Sequence, residues 1–412
     1  MIEKYELTNG VRIVSEKMET VRSVAIGIWI KNGSRNESED VNGISHFLEH
    51  MFFKGTTRRS AKDIAESFDR IGGQVNAFTS KEYTCIYTKV LDTHASYALE
   101  ILADMFFNST FDEKELVKEK NVVFEEIKMY EDTPDDMVHD LLGKAIFGNH
   151  PLGFPILGTE KTLQSFTPSL LHSYKEETYT PENVVISIAG NFSDSLIGEI
   201  RDRFGHFRGP GFVKRSEKPS FHKNEIVRKK DTEQAHLCIG FEGVSVNDQK
   251  IYPLILANNI LGGSMSSRLF QQVREERGLA YSIFSYHTSF EDTGVVTIYG
   301  GTGADQLDQL FVTILDTLDV LIDKGVTEQE LENSKEQMKG SMVLSLESTN
   351  SRMSRNGKNE LLLGEHKSME EIEQIIDAVT VEEVNTLIRE LFTRDYSIAL
   401  IHPEGKLPKR FQ

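Results

Sequence analysis

Residues 43–53 are the segment in which the hydrophobic pattern of this chain is most informative. At a helical step of about 100° per residue, the apolar positions fall on one stripe: Ile44, Phe47, Leu48, Met51 and Phe52. His46, Glu49, His50 and Phe53 fall on the opposite face. The stripe predicts a helix, but it does not explain why two imidazoles and a carboxylate gather on the other side.

The rest of the first half alternates between strand and helix patterns. A turn at Asn9-Gly10 predicts a hairpin over 5–15, and the apolar run 23–30 predicts a strand covered on both faces. Asp112, with Glu115 three residues later, predicts an N-cap and capping box. The other predicted elements are helices at 61–71, 93–107, 112–131 and 135–147 and strands at 84–90 and 184–190.

The second half repeats this order of patterns. The predicted elements are strands at 236–241, 281–285 and 295–299 and helices at 252–261, 269–276, 305–323 and 328–345. Residues 111–116 match 326–331 at an offset of 215, and the segments that begin at Thr167 and Thr380 match at an offset of 213. We therefore predict an α+β protein of two homologous domains, each a mostly antiparallel sheet packed with helices.

Residues 209–222 have the Gly, Pro and Lys content of a linker. They divide the chain into predicted domains at 1–208 and 223–412. At the offset of 213, the positions equivalent to His46, Glu49 and His50 are Asn259, Gly262 and Gly263. The second copy thus keeps the fold pattern without the polar cluster, so we expect the chemistry in the first copy.

Charge and cysteine content narrow the classes of partner. The 412 residues contain 46 Lys and Arg against 64 Asp and Glu, a formal net charge of −18, which disfavours nucleic acid and anionic membranes. Cys85 and Cys238 lie one in each half, so no disulfide framework is expected. Neither a signal-peptide pattern nor an apolar run of about 18 residues occurs, so we expect a cytoplasmic protein.

Two histidines four residues apart on one helical face can bind one metal ion together. In His46-Phe47-Leu48-Glu49-His50, the carboxylate is placed to take a proton from water beside such an ion. The alternative is an exposed polar face with two solvated histidines. For a third ligand, the helix predicted at 112–131 offers Glu119 and Glu126, which differ by only about 20° around its axis. Spacing alone does not choose between them.

These patterns occur together with Gly73-x-x-Asn76-Ala77-Phe78-Thr79, and with Ile127 directly after Glu126. The combination resembles the M16 zinc metallopeptidases, which are inverzincins, and in particular the bacterial proteases similar to mitochondrial processing peptidase. The resemblance implies a duplicated metallohydrolase fold (M16/LuxS-like) with one Zn²⁺ per chain. The implied ligands are His46, His50 and Glu126, which lies 76 positions after His50, while Glu49 is the general base and Glu119 a supporting catalytic carboxylate.

The same resemblance implies residues that bind the substrate. Asn76, Ala77 and Phe78 are expected at a sheet edge to which a peptide adds as an extra strand, although Asn76 is also a common turn residue. In the second half, residues 269–281 resemble the Arg/Tyr motif of the family. The seven-residue spacing of this motif selects Arg274 and Tyr281, which would donate hydrogen bonds to substrate carbonyls; Arg277 is the less favoured alternative to Arg274. A surface arginine and a packed tyrosine are the alternative.

Two more implied features concern residues beside the scissile bond. Asp136 and Asp140, 10 and 14 positions after Glu126, match an acidic pair that contacts an arginine upstream of the cut in processing peptidases. Solvated acids are the alternative in a chain with 64 Asp and Glu. Phe53 is expected to line the pocket after the scissile bond.

The sequence therefore predicts a zinc-dependent endopeptidase that cleaves peptides or extended unfolded segments, with a basic preference near the cut. Residues 1–208 would be the catalytic, zinc-binding domain, and 223–412 a ligand-free repeat domain that carries the Arg/Tyr motif. Single-chain relatives of double length take this motif from their far half. A chain of 412 residues is therefore expected to form a homodimer that closes like a clamshell. The competing class is a non-catalytic structural or interaction subunit of the same fold.

Overall fold

The computed structural model describes residues 2–210 and 217–409. By its internal packing the chain divides into two compact units. Unit 1 comprises Met1–Lys128, Phe154–Glu217 and Leu344–His366, and unit 2 comprises Met129–Gly153, Lys218–Val343 and Lys367–Gln412. The linker predicted at 209–222 falls partly on residues 211–216, which lie outside the described residues.

The described residues form eleven β-strands and fourteen α-helices. The strands are β1 (Ile2–Glu6), β2 (Arg12–Lys17), β3 (Ser23–Ile30), β4 (Gln74–Thr79), β5 (Thr84–Leu91), β6 (Val184–Gly190), β7 (Glu225–Lys229), β8 (Gln234–Glu242), β9 (Ser282–Ser289), β10 (Gly294–Gly303) and β11 (Tyr396–His402). The helices are α1 (Ile44–Met51), α2 (Ala61–Asp69), α3 (Ala95–Asn108), α4 (Glu113–Glu131), α5 (Pro134–Phe147), α6 (Glu160–Ser165), α7 (Pro168–Thr178), α8 (Asp194–Phe204), α9 (Ile251–Asn258), α10 (Leu307–Lys324), α11 (Glu328–Ser345), α12 (Thr349–Leu362), α13 (Met369–Ala378) and α14 (Val381–Phe392).

The sheet of unit 1 has the strand order β1-β2-β6-β3-β5-β4. Strands β2 and β6 run parallel, and the other neighbours are antiparallel. Strand β3 is central and almost entirely buried, as its continuous apolar run predicts. Strand β4 lies at one edge and pairs with β5 alone among the described strands.

The sheet of unit 2 repeats this arrangement in the order β7-β11-β8-β10-β9. Strands β7 and β11 form its parallel pair, as β2 and β6 do in unit 1. Setting β1 aside, the five strands of each sheet therefore correspond one to one. This correspondence confirms the predicted duplication of an α+β domain with a mostly antiparallel sheet.

Some predicted elements of the second half differ locally from the structure. The helix predicted at 252–261 ends as α9 at Asn258 and continues as a π-helical turn, Asn259–Gly263. The helix predicted at 269–276 is a π-helical turn over Phe270–Glu275. Over so few residues, the side-chain spacing of the two helix types is too similar for a hydrophobic pattern to distinguish them.

One helix of each repeat belongs to the unit built around the other repeat's sheet. Helix α12 lies against β3 and β6 in unit 1, and α5 lies against β8 and β11 in unit 2. The two helices are equivalent, because 134 + 215 = 349 and 147 + 215 = 362. The prediction of two contiguous domains did not include this exchange.

Helix α12 is held on the sheet of unit 1 by buried polar contacts as well as by apolar packing. The indole Nε1 of Trp29 donates to Sδ of Met353 at 3.3 Å, and Oγ of Ser187 donates to the Met353 carbonyl at 2.7 Å. The carboxylate of Glu16 accepts from Nδ2 of Asn356 at 2.7 Å and forms an ion pair with Arg352. These contacts tie the helix to β2, β3 and β6.

Gly357→Ala should lower the free energy of unfolding by about 1–3 kcal/mol, because its Cβ would lie 2.3 Å from the indole Nε1 of Trp29. Trp29 is the single tryptophan of the chain, so its fluorescence in a denaturant titration reports on unit 1. Gly198→Ala in α8 of unit 1 is the matched control, since nothing lies within 4 Å of its Cβ position. Equal unfolding midpoints for both variants would contradict the described packing of α12.

Candidate active site

Helix α1 carries the polar cluster and is fixed at both its buried face and its start. Its apolar side chains, including Ile44 and Phe47, are fully buried in the core of unit 1. At the start of the helix, the buried carboxylate of Glu37 accepts from the backbone N–H groups of Gly43 at 2.7 Å and Ser45 at 2.8 Å. Burial raises the pKa of Glu37 to about 7, although these donors oppose the rise. The helix is therefore held in one rotation about its axis.

Three side chains on α1 and α4 converge on one point. Nε2 of His46 lies 3.2 Å from Nε2 of His50, and Oε2 of Glu126 lies 3.7 Å and 3.6 Å from these two atoms. Among the described residues, these three form the one group of three or more His, Cys, Asp or Glu side chains whose ligand atoms all lie within 4.8 Å of one another. The structure thus brings together the three predicted ligands.

The spacing of these donor atoms fits one four-coordinate metal ion. Tetrahedral ligands at about 2.0–2.1 Å from a metal lie about 3.3–3.5 Å from one another, close to the three observed separations. Burial, with His50 beside it, lowers the pKa of His46 to about 3, so its ring is neutral and offers a lone pair. Since two ring nitrogens and a carboxylate oxygen point at the same position, the donor set suits a cation there.

Glu119 occupies a different place from Glu126. Its Oε1 lies 2.8 Å from Nδ1 of His50, and its Oε2 lies 2.6 Å from Nζ of Lys54. Burial favours the neutral form of Glu119, but the hydrogen bonds from His50 and Lys54 outweigh burial and lower its pKa. A proton on Nδ1 of His50 leaves Nε2 free as a ligand atom. Glu119 therefore contacts the ring of His50 from the side opposite to Glu126.

Lys54 is a site residue that the sequence analysis missed. It follows α1 and lies four positions after His50, so its ammonium group reaches the oxygen of Glu119 that His50 does not contact. A lysine just past a helix is common on protein surfaces. The one local signal is its i+4 spacing from His50, and the contact with Glu119 follows only from the fold.

Glu49 lies on the same face of α1 as the two histidines. Its side chain is almost fully buried, and its Oε2 accepts a hydrogen bond from Oγ1 of Thr79 at 2.6 Å. Burial raises the pKa of Glu49, opposed by this hydrogen bond and by His50. A buried carboxylate beside a metal position, with its basicity raised, has the chemistry of a general base.

Strand β4 offers an open edge close to Glu49. The backbone N–H of Ser80 donates to the carbonyl of Tyr83 at 2.8 Å. By the alternation of an antiparallel pair, the backbones of Thr79 and Ala77 then face the open edge, while those of Phe78 and Asn76 face β5. Asn76 lies inside the strand with an exposed side chain, and not in a turn.

Phe78 and Phe53 are placed differently from Ala77. The ring of Phe78 packs edge-on against Trp29 at 5.6 Å between centroids and also contacts Tyr83 and Tyr87. This packing gives Phe78 a structural role in the strand, while the open edge itself belongs to Ala77 and Thr79. Phe53 lies two residues past the end of α1 and is half-buried against the core of unit 1.

Arg274 and Tyr281 lie together in unit 2. The guanidinium of Arg274 lies 4.4 Å from the ring centroid of Tyr281 and 4.8 Å from that of Phe270. Tyr281 is 78% exposed, so it is not the packed tyrosine of the alternative interpretation. The two side chains form an ordered cationic and phenolic pair at the surface of unit 2.

Asp136 and Asp140 lie on α5, which belongs to unit 2. Asp136 is exposed and Asp140 is half-buried. Burial, with a contribution from Asp140, raises the pKa of Tyr130. The pair is thus partly engaged within its own unit, with the carboxylate of Asp136 facing solvent.

Comparison with known proteins identifies the family. Residues 12–160 match the family description "Insulinase (Peptidase family M16)", and residues 165–338 match "Peptidase M16 inactive domain". The chain is 66% identical over 408 residues to the uncharacterized zinc protease YmxG of Bacillus subtilis, covering 99% of this chain and 100% of the relative. The chain belongs to peptidase family M16.

Similarity to other proteases extends across nearly the whole chain. An uncharacterized zinc protease of Streptomyces coelicolor is 38% identical over 413 residues, covering 98% of this chain and 90% of the relative. The crystal structure of a protease from Helicobacter pylori matches with a TM-score of 0.91 at 22% identity, covering 98% of this chain and 99% of that one. These matches confirm the predicted M16 fold. Among the described residues, no helix is long and apolar enough to cross a membrane.

The second repeat has no room for a side chain at the position equivalent to Glu49. At Gly262, the position equivalent to Glu49, an added Cβ would lie 2.5 Å from the backbone N of Ser285 in β9. Asn258 also bonds this strand, since its Nδ2 donates to the Ser285 carbonyl at 3.3 Å. The close approach to β9 of the π-helical turn that follows α9 therefore requires glycine where the first repeat has Glu49.

Proposed function

We propose that this M16 protein is a zinc-dependent endopeptidase that cleaves peptides or extended unfolded segments. The observation that carries the proposal is the convergence of His46, His50 and Glu126 on one metal position, with Glu49 beside them. The names of its relatives, which are zinc proteases, support zinc as the metal. One ion per chain follows, because the second repeat lacks the ligand set.

When bound, zinc supplies a Lewis acid that polarises the scissile carbonyl and increases the acidity of water. Glu49 takes a proton from the attacking water and returns it to the leaving amine. Glu119 keeps the ring of His50 in the orientation that presents Nε2. The open edge of β4 holds the substrate backbone in an extended conformation, so affinity does not depend on a particular sequence.

Further contacts would set the orientation of the substrate and the residues preferred beside the cut. Arg274 and Tyr281 would donate to substrate carbonyls and to the developing negative charge, and the exposure of Tyr281 supports an encounter with another molecule. Asp136 and Asp140 would favour a basic residue upstream of the cut. Phe53 would line the pocket after it.

Glu49→Gln should abolish peptide hydrolysis while leaving metal binding intact. Loss of general acid–base catalysis costs about 10²- to 10⁴-fold in kcat. The measurement is cleavage of a quenched peptide, together with zinc content by mass spectrometry. Glu125→Gln, an exposed neighbour of Glu126, is the control and should retain full activity.

Chelator treatment belongs to the same experiment. It should end hydrolysis without changing Trp29 fluorescence, because α1 and α4 are anchored by their own apolar faces. A protein without zinc, or with equal rates for Glu49→Gln and the unsubstituted chain, would instead favour a non-catalytic subunit.

Lys54→Met should weaken zinc binding by about 10- to 100-fold, the range for residues that orient ligands. Without the ammonium group, one oxygen of Glu119 loses its partner, and the carboxylate holds His50 less firmly. Competition with a chelating dye measures the dissociation constant. Lys62→Met, which removes an exposed pair with Glu66, is the control. Equal zinc affinity in both variants would rule out a role for Lys54.

Asp136→Asn with Asp140→Asn should reduce the preference for Arg or Lys near the cut. A carboxylate beside a substrate cation contributes charge-assisted hydrogen bonds that an amide cannot replace. Mass-spectrometric mapping of cuts in a peptide library gives the preference. Asp202→Asn with Asp319→Asn, at two exposed acids in α8 and α10, controls for the same change in net charge. An unchanged cleavage profile in this variant, or an unsubstituted chain without a preference for Arg or Lys, would contradict the proposal.

We further propose that the working unit is a homodimer in which Arg274 and Tyr281 of one chain serve the metal site of the other. Mixing Glu49→Gln with Arg274→Ala/Tyr281→Ala should then restore about a quarter of the wild-type activity, because half of the dimers regain one of two sites. Mixing Glu49→Gln with His46→Ala is the control, since both defects lie in the metal site. Heterodimers without activity, or an active monomer by light scattering, would exclude the shared site.

A further inference from the structure

The buried carboxylate of Glu49 has one hydrogen-bond donor among the described residues, and it is Thr79. The two side chains meet at 2.6 Å, from Oγ1 of Thr79 to Oε2 of Glu49. A threonine hydroxyl has a single proton, so Thr79 donates one hydrogen bond, to Oε2. Oε1 is therefore the oxygen that is available to take a proton from water. A charge-assisted contact of this length restricts the orientation of the carboxylate.

Among the described residues, no second acceptor competes with Glu49 for the proton of the Thr79 hydroxyl. Its cross-strand partner Thr84 lies with its Oγ1 at 3.4 Å, but that hydroxyl donates its proton to the carbonyl of Asn32 at 2.9 Å. The buried Thr84 thus contacts Thr79 without accepting its proton. The geometry leaves Glu49 as the acceptor for Thr79.

The backbone of Thr79 also faces the open edge of the sheet. It is the last residue of β4, at the end of the strand that lies next to α1. A peptide that adds to this edge pairs with the backbone of the same residue whose side chain holds Glu49. One residue therefore connects the strand that receives a substrate with the carboxylate that acts on it.

We propose that Thr79 is a positioning residue that orients Glu49 for proton transfer and sets it in register with the substrate strand. The inference rests on the proposed peptidase function and adds a residue outside the metal ligands, the general base and the Arg/Tyr pair. It acts through a hydrogen bond, so it requires the hydroxyl group of Thr79 and not its methyl group.

The test compares Thr79→Val, which has the same shape without the hydroxyl, with Thr79→Ser, which keeps the hydroxyl. Thr79→Val should lower kcat by about 10- to 100-fold with KM changed less than about twofold, and Thr79→Ser should restore at least about half of the wild-type kcat. Zinc content should equal that of the unsubstituted chain in both variants. Steady-state cleavage of one quenched peptide gives both constants.

Thr88→Val is the matched control. Oγ1 of Thr88 donates to the carbonyl of Gln74 at 2.6 Å, so this variant also removes a threonine hydroxyl that contacts β4, but far along the strand from Glu49. Its kcat should stay within about twofold of wild type. Should Thr79→Val melt at a lower temperature than Thr88→Val, Thr79→Ala repeats the comparison without a second methyl group against the carboxylate.

Four outcomes overturn the inference. They are a wild-type kcat in Thr79→Val, a defect confined to KM, loss of zinc from Thr79→Val, and a Thr79→Ser variant as slow as Thr79→Val. Each of these requires an active unsubstituted chain and leaves the peptidase proposal standing. An unsubstituted chain that binds zinc and cleaves no peptide overturns the proposed function, and this inference with it.

Discussion

The burial of one face of α1 determines the geometry of the candidate active site. A helix turns by about 100° per residue, so the rotation that buries Ile44 and Phe47 also fixes the direction of His46, Glu49 and His50. A rotation by one residue in one direction would turn His50 toward the apolar core and Phe52 away from it. The packing that forms the apolar core therefore also sets the directions of the candidate metal ligands on α1.

Helix α4 completes the site through a second stripe in which apolar and acidic residues alternate. Leu116 and Val123 are buried in the core, and Glu119 and Glu126 follow each of them by three positions. The two glutamates lie about 10 Å apart along the axis, at seven residues of 1.5 Å each. They thus reach opposite nitrogens of the His50 ring, which α4 holds from both sides.

Sequence reasoning reached the elements whose signals are local. The helix around His46, the buried strand β3 and the Asp112 cap, which accepts from the backbone of Lys114 and Glu115, are all encoded within a few residues. The choice between Glu119 and Glu126 was not local. Both lie on one face of α4, and only the distance along the axis to each nitrogen of His50 separates them, so spacing left the choice to the family resemblance.

The pattern of hydrophobic and polar residues could not predict contacts between distant segments. Lys54 and Thr79 have ordinary surroundings in sequence, and their roles follow from the side chains that folding brings to them. The exchange of α5 and α12 has the same cause. An amphipathic helix shows that one face is buried, but its sequence does not name the sheet that buries it.

The exchange also sets an order on the synthesis of the protein. The sheet of unit 1 ends with β6 at Gly190, but the helix that covers β3 and β6 ends at Leu362. Until the ribosome has made residues near 362, a central apolar strand and the indole of Trp29 lack their cover. The sheet of the first repeat is therefore fully covered only after the last quarter of the chain has been made, and that quarter contributes to unit 1 as well as to unit 2.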